Sequence, residues 1–523
     1  MSIYSKSGKL LVPAPALSIP RQQGGATPPA IGAAISGTPS GMAALHEAAS
    51  SVRRLKGWKP TDAHINTILR SSGAELLRRS RNLVQTNAYA LSAQESFSHN
   101  LIGTGIAPTC LLQGEIREQI NELFSIWSDE ADADGQTSFY GLQTLAAFSL
   151  FEAGEVFVRM RSRRPQDGLS VPFQLQLIEA EQLDRLYNVE LPNGNIVRCG
   201  IEFNKIGQRV AYHFWKQHPG DLTFPLATSE RTIVPAAEVL HVYEMRRPGQ
   251  LRGVPRTLAG MVRAYILDQY DDAMLDRAKV AALVAAWIKK PEEGSYWSNE
   301  TEQTSLSDSS LTEAIAEWSP GSINELLPGE EVTISEPADA GSTYEPFQYR
   351  NLTAISVAWG VPYAAMSGDM LKANYSNMRA ALLEFRRRIS PTQDNVIRYQ
   401  FCRPIWRRFI ETAVLDGTLQ GNTQEMVRQV RWIMPKWDWV DPLKDRNAEK
   451  VAVEMGVKSL SDVQEAEGYD PEDVAKRRAA DIDRAERYGL EHPYPTQQPQ
   501  PNVAGMPADQ TALLFDQQQT GAA

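Results

Sequence analysis

The side chains best suited to metal or nucleophilic chemistry are few: His46, His64, His99, His213, His218, His241 and His492, with Cys110, Cys199 and Cys402. His213 and His218 stand at i, i+5 across a strand end and Pro219. A zinc site draws on three or four ligands, and no Cys or His cluster accompanies that pair. The cysteines are odd in number and widely separated, which argues against a disulfide framework and fits a reducing compartment. The HExxH, GxSxG and GxxxxGK(S/T) patterns are missing, and with them the metalloprotease helix, the nucleophile elbow and the phosphate-cradling loop. LIGTGIA at 101–107 holds a Gly-x-Gly without the third glycine or later acidic residue of a dinucleotide site, so it reads as a turn after a helix. Serines and carboxylates abound, but no spacing arranges them as a triad. These residues point to no catalysis, no metal and no cofactor.

Charge carries more information. The chain has 53 Lys+Arg against 63 Asp+Glu, a net charge of −10, where a sequence-specific DNA binder is usually basic. From Pro291 to Tyr349 there are 13 acidic residues and no Lys or Arg. That segment is more negative than the whole protein, so the rest is net positive. Residues 379–408 hold eight arginines (Arg379, Arg386, Arg387, Arg388, Arg398, Arg403, Arg407, Arg408) against Glu384 and Asp394. A second basic cluster lies at 53–81. A charge run is ordinarily a solvated face. A 59-residue stretch without a cation cannot neutralise itself and needs basic neighbours, solvent or a basic partner.

The elements that must position these residues can be read in outline. A chain of 523 residues allows two to four domains at about 100–200 residues each. Its 42% hydrophobic and 22% charged fractions are those of a globular protein. No apolar run reaches the roughly 18 residues of a membrane helix. The start, MSIYSKSGKLLVPAPALSIP, is broken by Pro13, Pro15 and Pro20 and makes a poor signal peptide. Residues 1–50 and 491–523 are rich in small, Pro and Gln residues and read as mobile arms. Leu513, Leu514 and Phe515 could form a small docking plug in the second. Ile68, Leu69, Leu76, Leu77, Leu83 and Val84 recur at helical spacing within 51–160, and GEVFVRM within that region reads as a strand. FQLQLI, RVAYHFW and EVLHVYEM read as strands of 171–245, with an Asn-Gly turn signal in LPNGN. One long helix is expected from Thr257 to Ile288, spanning about 45 Å. It carries Asp268, Asp272 and Asp276 at i, i+4, i+8, an acidic stripe that destabilises an isolated helix, and ends in the Ala-rich AKVAALVAAWI. Residues 291–310 read as loop, and SINELLPGEEVTISEP as two short strands around a Pro-Gly turn. The arginine-rich 379–408 reads as helix interrupted near Pro391 and Pro404.

Five segments together resemble one family, the portal proteins of tailed bacteriophages of the lambda type. They are RNLVQTNAYALSAQESFSHNLIGTGIAP (81–108), HVYEMRRPGQLRGVPRTLAGMV (241–262), LPGEEVTISEP (327–337), VAWGVPYAAMSGDMLKANYSNMRAALLEFRR (357–387), and WVDPLKDRNA (439–448) followed by GVKSLSDVQEAEGYDPEDV (456–474). Their order and spacing agree over about residues 60–480. The chain departs from the pattern at Asn377, where the family often has a second Ser, and in the polar insert 291–310.

The resemblance implies an α+β, predominantly helical portal fold with wing, stem, clip and crown. Its subunits form a homo-oligomeric ring, usually of twelve copies, at one vertex of the capsid. On that plan 1–50 is a flexible N-terminal arm, 51–256 the wing, 257–290 the first stem helix and 291–345 the acidic clip. Residues 346–362 are then the second stem helix, 363–377 the channel loop, 378–412 the long wing helix, 413–490 the crown-side helical region and 491–523 a flexible tail. The implied partners are the terminase large subunit, double-stranded DNA in the channel, major capsid and scaffold proteins, and head-completion or adaptor proteins. No membrane is involved. The implied location is the virion's portal vertex, with assembly in the host cytoplasm. The ring itself is non-catalytic.

Candidate site residues follow. Asp268, Asp272, Asp276 and Lys372 would line the channel. Glu292, Glu293, Glu300, Glu302, Glu330 and Glu331 would dock terminase or adaptors. Arg379, Arg386, Arg387 and Arg388 would make DNA or inter-subunit contacts. The acidic balance suits a conduit, because each phosphate contact adds affinity and a ring multiplies it. Two other readings remain at this point. A soluble enzyme needs a convergent polar pocket. A nucleic-acid-binding module using the arginines of 379–408 predicts tight, salt-sensitive DNA binding by the monomer.

Overall fold

The computed structural model describes residues 60–221, 230–282, 286–289, 331–334, 344–371, 374–437 and 442–494, with residue 57 and two short strands near the start. The expected arm at 1–50 apart from those strands, the loop at 291–310, nearly all of the acidic 291–345, Lys372 and the tail beyond 494 lie outside the described residues. Contacts divide the chain into 1–63 and 64–523. In the first unit, β1 (Ile3–Tyr4) pairs antiparallel with β2 (Leu10–Val12).

The second unit begins with α1 (Ile65–Thr86) and α2 (Ala88–Ile102). Asn87 ends the first and caps the second, its side chain accepting from the Ala90 amide at 3.0 Å. This satisfies an amide that the first turn of a helix leaves unpaired. β3 (Ala107–Cys110), α3 (Glu115–Glu130) and α4 (Phe139–Glu152) follow. β4 (Glu155–Ser162) is the middle of a three-stranded antiparallel sheet, between β5 (Phe173–Ile178) and β11 (Val239–Tyr243). Between those two come β6 (Val189–Glu190), β7 (Ile196–Arg198), β8 (Ile201–Phe203), β9 (Arg209–Trp215) and β10 (Arg231–Pro235). They form an antiparallel meander in which each strand pairs with the next. The strands expected in FQLQLI, RVAYHFW, GEVFVRM and EVLHVYEM are all present, and LPNGN is the β6–β7 turn, with the Leu191 amide donating to Asn195 O at 2.8 Å.

The long helix is shorter than expected. A turn of 3₁₀ helix at Arg256–Ala259 precedes α5 (Met261–Ala282), and the apolar run beyond it becomes β12 (Ala286–Lys289). β12 pairs with β13 (Glu331–Ile334), Trp287 opposite Thr333 and Ile288 opposite Val332. Aromatic and β-branched residues favour this exchange of helix for strand. The strand expected in EEVTI is therefore present and pairs with β12; the segment before it, expected as the other strand of a Pro-Gly turn, lies outside the described residues. α6 (Tyr344–Trp359) then stops before Gly360 and Pro362. The expected channel loop contains a short α7 (Tyr363–Ser367) and the first turn of α8 (Tyr375–Thr392). Pro391 does not break the path: α8 runs into a π-wound stretch, Gln393–Cys402, and on into α9 (Arg403–Asp416). Wider winding accommodates a residue whose ring and missing amide disrupt a regular ladder. Pro404 lies in the first turn of α9, directly after the π-wound stretch. The region expected as crown-side and helical, 413–490, holds α10 (Thr423–Arg428), α11 (Pro442–Glu454), α12 (Leu460–Ala466) and α13 (Pro471–Tyr488), together with the short strand β14 (Val430–Ile433). β14 pairs with β3 across more than 300 residues of sequence, Val430 opposite Cys110.

The main core gathers aromatic side chains from α2, α3, α4, α6 and α9 around Trp127, Trp359 and Trp406. Each indole N–H is satisfied while buried: Trp127 donates to Phe173 O at 2.7 Å, Trp359 to Thr257 O at 3.0 Å and Trp406 to Met426 O at 3.4 Å. A large apolar surface is thus removed from water without orphaning a donor. A second cluster, around Phe157 and Phe214, fills the space between the two sheets. Among the described residues no helix is long and apolar enough to cross a membrane.

Candidate functional site

The helix pair α5 and α6 leaves the body of the second unit at one root, and the residues there fix it. The Ser80 and Thr257 hydroxyls lie 2.6 Å apart in the core. Trp359, the last residue of α6, bonds Thr257, and Arg256 Nε returns a bond to Trp359 O at 3.1 Å. Glu244 accepts from Arg256 at 2.9 Å and from Thr392 at 3.0 Å, which ties α8 to the same point.

Behind the root lies a buried ion network. Glu155, fully buried at the start of β4, accepts from Arg252 Nε at 2.9 and 3.1 Å and from the Gly253 amide at 2.7 Å. Arg185 approaches the same carboxylate at 3.1 Å and His241 Nε2 at 3.0 Å. Arg252, itself buried, also donates to Ala180 O at 2.8 Å and Leu183 O at 3.2 Å. The contact requires glycine on both sides. A Cβ on Gly154 would lie 2.1 Å from the Val254 carbonyl carbon, and one on Gly253 would lie 2.2 Å from Gly154 O. Burial alone raises the Glu155 carboxyl, but Arg252, the His241 hydrogen bond and Arg185 overcome it and hold it well below the usual range. Burial lowers His241 to about 4, further than its bond to Glu155 can restore. His241 is therefore a neutral imidazole near neutral pH: Nε2–H donates to Glu155, and Nδ1 accepts from Arg209 at 3.3 Å.

The acidic stripe divides. Asp268 is half-buried and accepts from Asn87 Nδ2 at 3.0 Å, joining α5 to the α1–α2 junction. Asp271 accepts from the Tyr344 hydroxyl at 3.1 Å and from Gln348, joining α5 to α6. Asp272 and Asp276 are exposed, and Asp276 pairs with Lys279 at 2.9 Å. Glu292, Glu293, Glu300, Glu302, Glu330 and Lys372 lie outside the described residues, and Glu331 opens β13. Of the four arginines expected to contact DNA or a neighbouring subunit, Arg379 pairs with Asp445 of α11 at 3.0 Å and Arg386 lies 5.2 Å from the Trp437 ring centre. Arg388 pairs with Glu384 at 3.2 Å, and Arg387 is exposed. Three of these four are thus engaged within the chain.

His213 and His218 serve different carboxylates, Glu202 at 3.0 Å and Glu179 at 3.1 Å. Glu179, Glu181 and His218 come close enough together to hold a cation, but Arg81 is already among them, 3.0 Å from each glutamate. Sequence reasoning passed over Glu155, Arg185, Arg252 and His241. The available signal was a lone carboxylate opening an apolar strand, GEVFV, and a histidine inside another, VLHVY.

Residues 51–393 match the family model described as phage portal protein, lambda family. A probable portal protein of Halomonas phage phiHAP-1 is 28% identical over 386 residues, 73% of each chain. Portal protein B of Escherichia phage lambda is 21% identical over 499 residues, covering 85% of this chain and 93% of that one. A solved chain from the neck of a native gene transfer agent particle is 14% identical, with a TM-score of 0.45, over 76% of this chain and 94% of that one.

The depressed His241 value makes stability depend on pH. The unfolded chain binds a proton near pH 6.5 that the folded chain refuses until about pH 4, so stability falls as pH drops through that window. The loss reaches about 3 kcal/mol. Urea midpoints measured from pH 7 to 4 should show it, and His241→Gln, whose amide can donate to Glu155 without titrating, should remove most of the slope. An identical slope in both proteins would assign it elsewhere.

Proposed function

The chain belongs to the lambda family of phage portal proteins, and on that footing we propose that it is the subunit of a closed ring of twelve copies at one capsid vertex. Double-stranded DNA enters through the ring during packaging and leaves through it on ejection. The observation that supports this most is the outward face of α5. Val262, Tyr265 and Ile266, which share one side of the helix, are between 56% and 66% exposed. Val357 of α6, 65% exposed, adds to the apolar surface of the pair. A row of large apolar residues on the solvent side of a rooted helix calls for a protein partner. Self-association around a rotation axis covers the same patch on every copy.

In this reading α5 and α6 are the stem, and the body packed around Trp127 and Trp406 is the wing. The stretch 291–345 is the clip, on which the terminase large subunit and later head-completion proteins dock. The channel-lining role narrows to Asp272 and Asp276, since Asp268 is bonded to Asn87. Exposed carboxylates along a bore repel phosphates and keep DNA from adhering. Arg387 is the member of its cluster left to meet a neighbouring subunit, the capsid shell or scaffold. The ring is a passage and a platform, with catalysis left to the motor, and it assembles in the host cytoplasm.

Val262→Asp combined with Ile266→Asp places charge on the exposed face without disturbing the core. The variant should remain folded and sediment as a monomer where the unmodified chain forms rings. Rings of normal size from the variant would show that α5 does not face a neighbour. Terminase binding should weaken at least about ten-fold between 0.05 and roughly 0.5 M salt if charge on 291–345 drives it. Salt-independent binding would count against that docking surface.

A further inference from the structure

Where β4, β11, α9, α10 and β14 meet, the surface opens into a cleft of about 890 Å³. Its floor is apolar, with Met160, Leu240, Val427 and Trp432. Its rim holds five arginines, Arg398, Arg403, Arg407, Arg408 and Arg428, against the single carboxylate of Glu411. Arg398 pairs with Asp394 at 2.6 Å, and Arg408 donates to Ser162 Oγ at 3.0 Å. The Nε of each is buried without a hydrogen-bond partner among the described residues. Arg403 lies 5.6 Å from the Tyr399 ring centre. Arg407 and Arg428 are exposed and make no ion pair among the described residues. Guanidiniums crowded around low-dielectric walls repel one another and focus a positive field into the cleft. Their planar forks match carboxylates. The fitting ligand is a short segment with carboxylates at its ends and apolar side chains between.

We propose that this cleft holds the chain's own C-terminal segment Asp509–Asp516. That segment reads DQTALLFD, with aspartates bracketing Leu513, Leu514 and Phe515. No Lys or Arg follows Arg487, so no like charge accompanies it into the cleft. The 19 residues from Tyr494 to Leu513 have a contour of about 60 Å. Tethering at that length keeps the segment at millimolar effective concentration, enough for modest contacts to hold it. The larger acidic stretch, 291–345, is tethered at both ends, to β12 and to α6, beyond the far end of a helix about 33 Å long. The inference stands apart from the ring, since a single chain contains both halves.

Amide hydrogen exchange on the full chain tests it. Amides of 511–516 should exchange at least about ten-fold more slowly than in a free peptide of residues 505–519. Arg403→Glu with Arg407→Glu, both on the exposed rim, should abolish that protection, as should about 1 M salt. Leu514→Asp with Phe515→Asp should free the tail, and the vacated cleft should then bind a fluorescent 505–519 peptide about ten-fold more tightly than the unmodified chain does. Free-peptide exchange at 511–516 in the unmodified chain overturns the proposal, and so does protection indifferent to the arginine reversals. Protection that vanishes on dilution to monomers assigns the bound tail to a neighbouring copy and overturns docking within one chain. Reversals that change exchange at 291–345, or duplex DNA binding, while leaving 511–516 unchanged give the cleft to another occupant. Normal rings with a freely exchanging tail would sink this inference and leave the proposed function standing.

Discussion

Glu155 carries a negative charge with no contact to solvent, and the surroundings of the helix pair are arranged to satisfy it. Arg252, Arg185, His241 and the Gly253 amide converge on its two oxygens. These partners come from segments far apart in sequence: the start of β4, the stretch after β5, the strand β11 and the loop before α5. Removing one partner of such a network leaves an uncompensated buried charge, which costs far more than an exposed pair is worth. The network therefore fixes how those segments meet. Three residues beyond Gly253, Arg256 closes onto Trp359 and Glu244, and Thr257 meets Ser80. The direction in which α5 leaves the body follows from these bonds. A ring built from stem helices needs that direction to be the same in every subunit, because small angular errors accumulate around a closed circle.

The distribution of charge fits the proposed ring. The body is net positive, and its arginines are largely engaged with partners such as Asp445, Asp394 and Glu384. The excess negative charge is concentrated between residues 291 and 349. A protein that must let DNA slide has no use for a dense set of phosphate contacts, since affinity rises with each one. A protein that must exchange one docking partner for another benefits from a surface whose attraction is electrostatic and quickly reversed.

Much of this architecture was legible before any coordinates, though unevenly. RVAYHFW and FQLQLI announced strands because buried or alternating apolar residues leave a local trace. The five family segments gave the fold because they preserve order over most of the chain. The end of α5 left no such trace. AKVAALVAAWIK suits a helix by composition, and the strand that captures Ala286–Lys289 lies more than 40 residues downstream. β14 was hidden for the same reason, since its partner β3 precedes it by some 320 residues. Asp268 looked identical to Asp272 in the sequence. Only the arrival of Asn87 beside it separates an internal anchor from an exposed carboxylate. The arginines of 379–408 were visible as charge. Their division between internal pairs and the rim of a cleft depends on Met160 and Trp432, which meet them only through folding.

The central claim is that the chain works as a ring, and the most direct measurement is the mass of the purified protein in solution together with electron microscopy of the same sample. The account predicts closed rings with a central hole and a mass of twelve 58.1 kDa subunits. A stable monomer or dimer at every concentration and salt tried, even with capsid and scaffold proteins present, would contradict it.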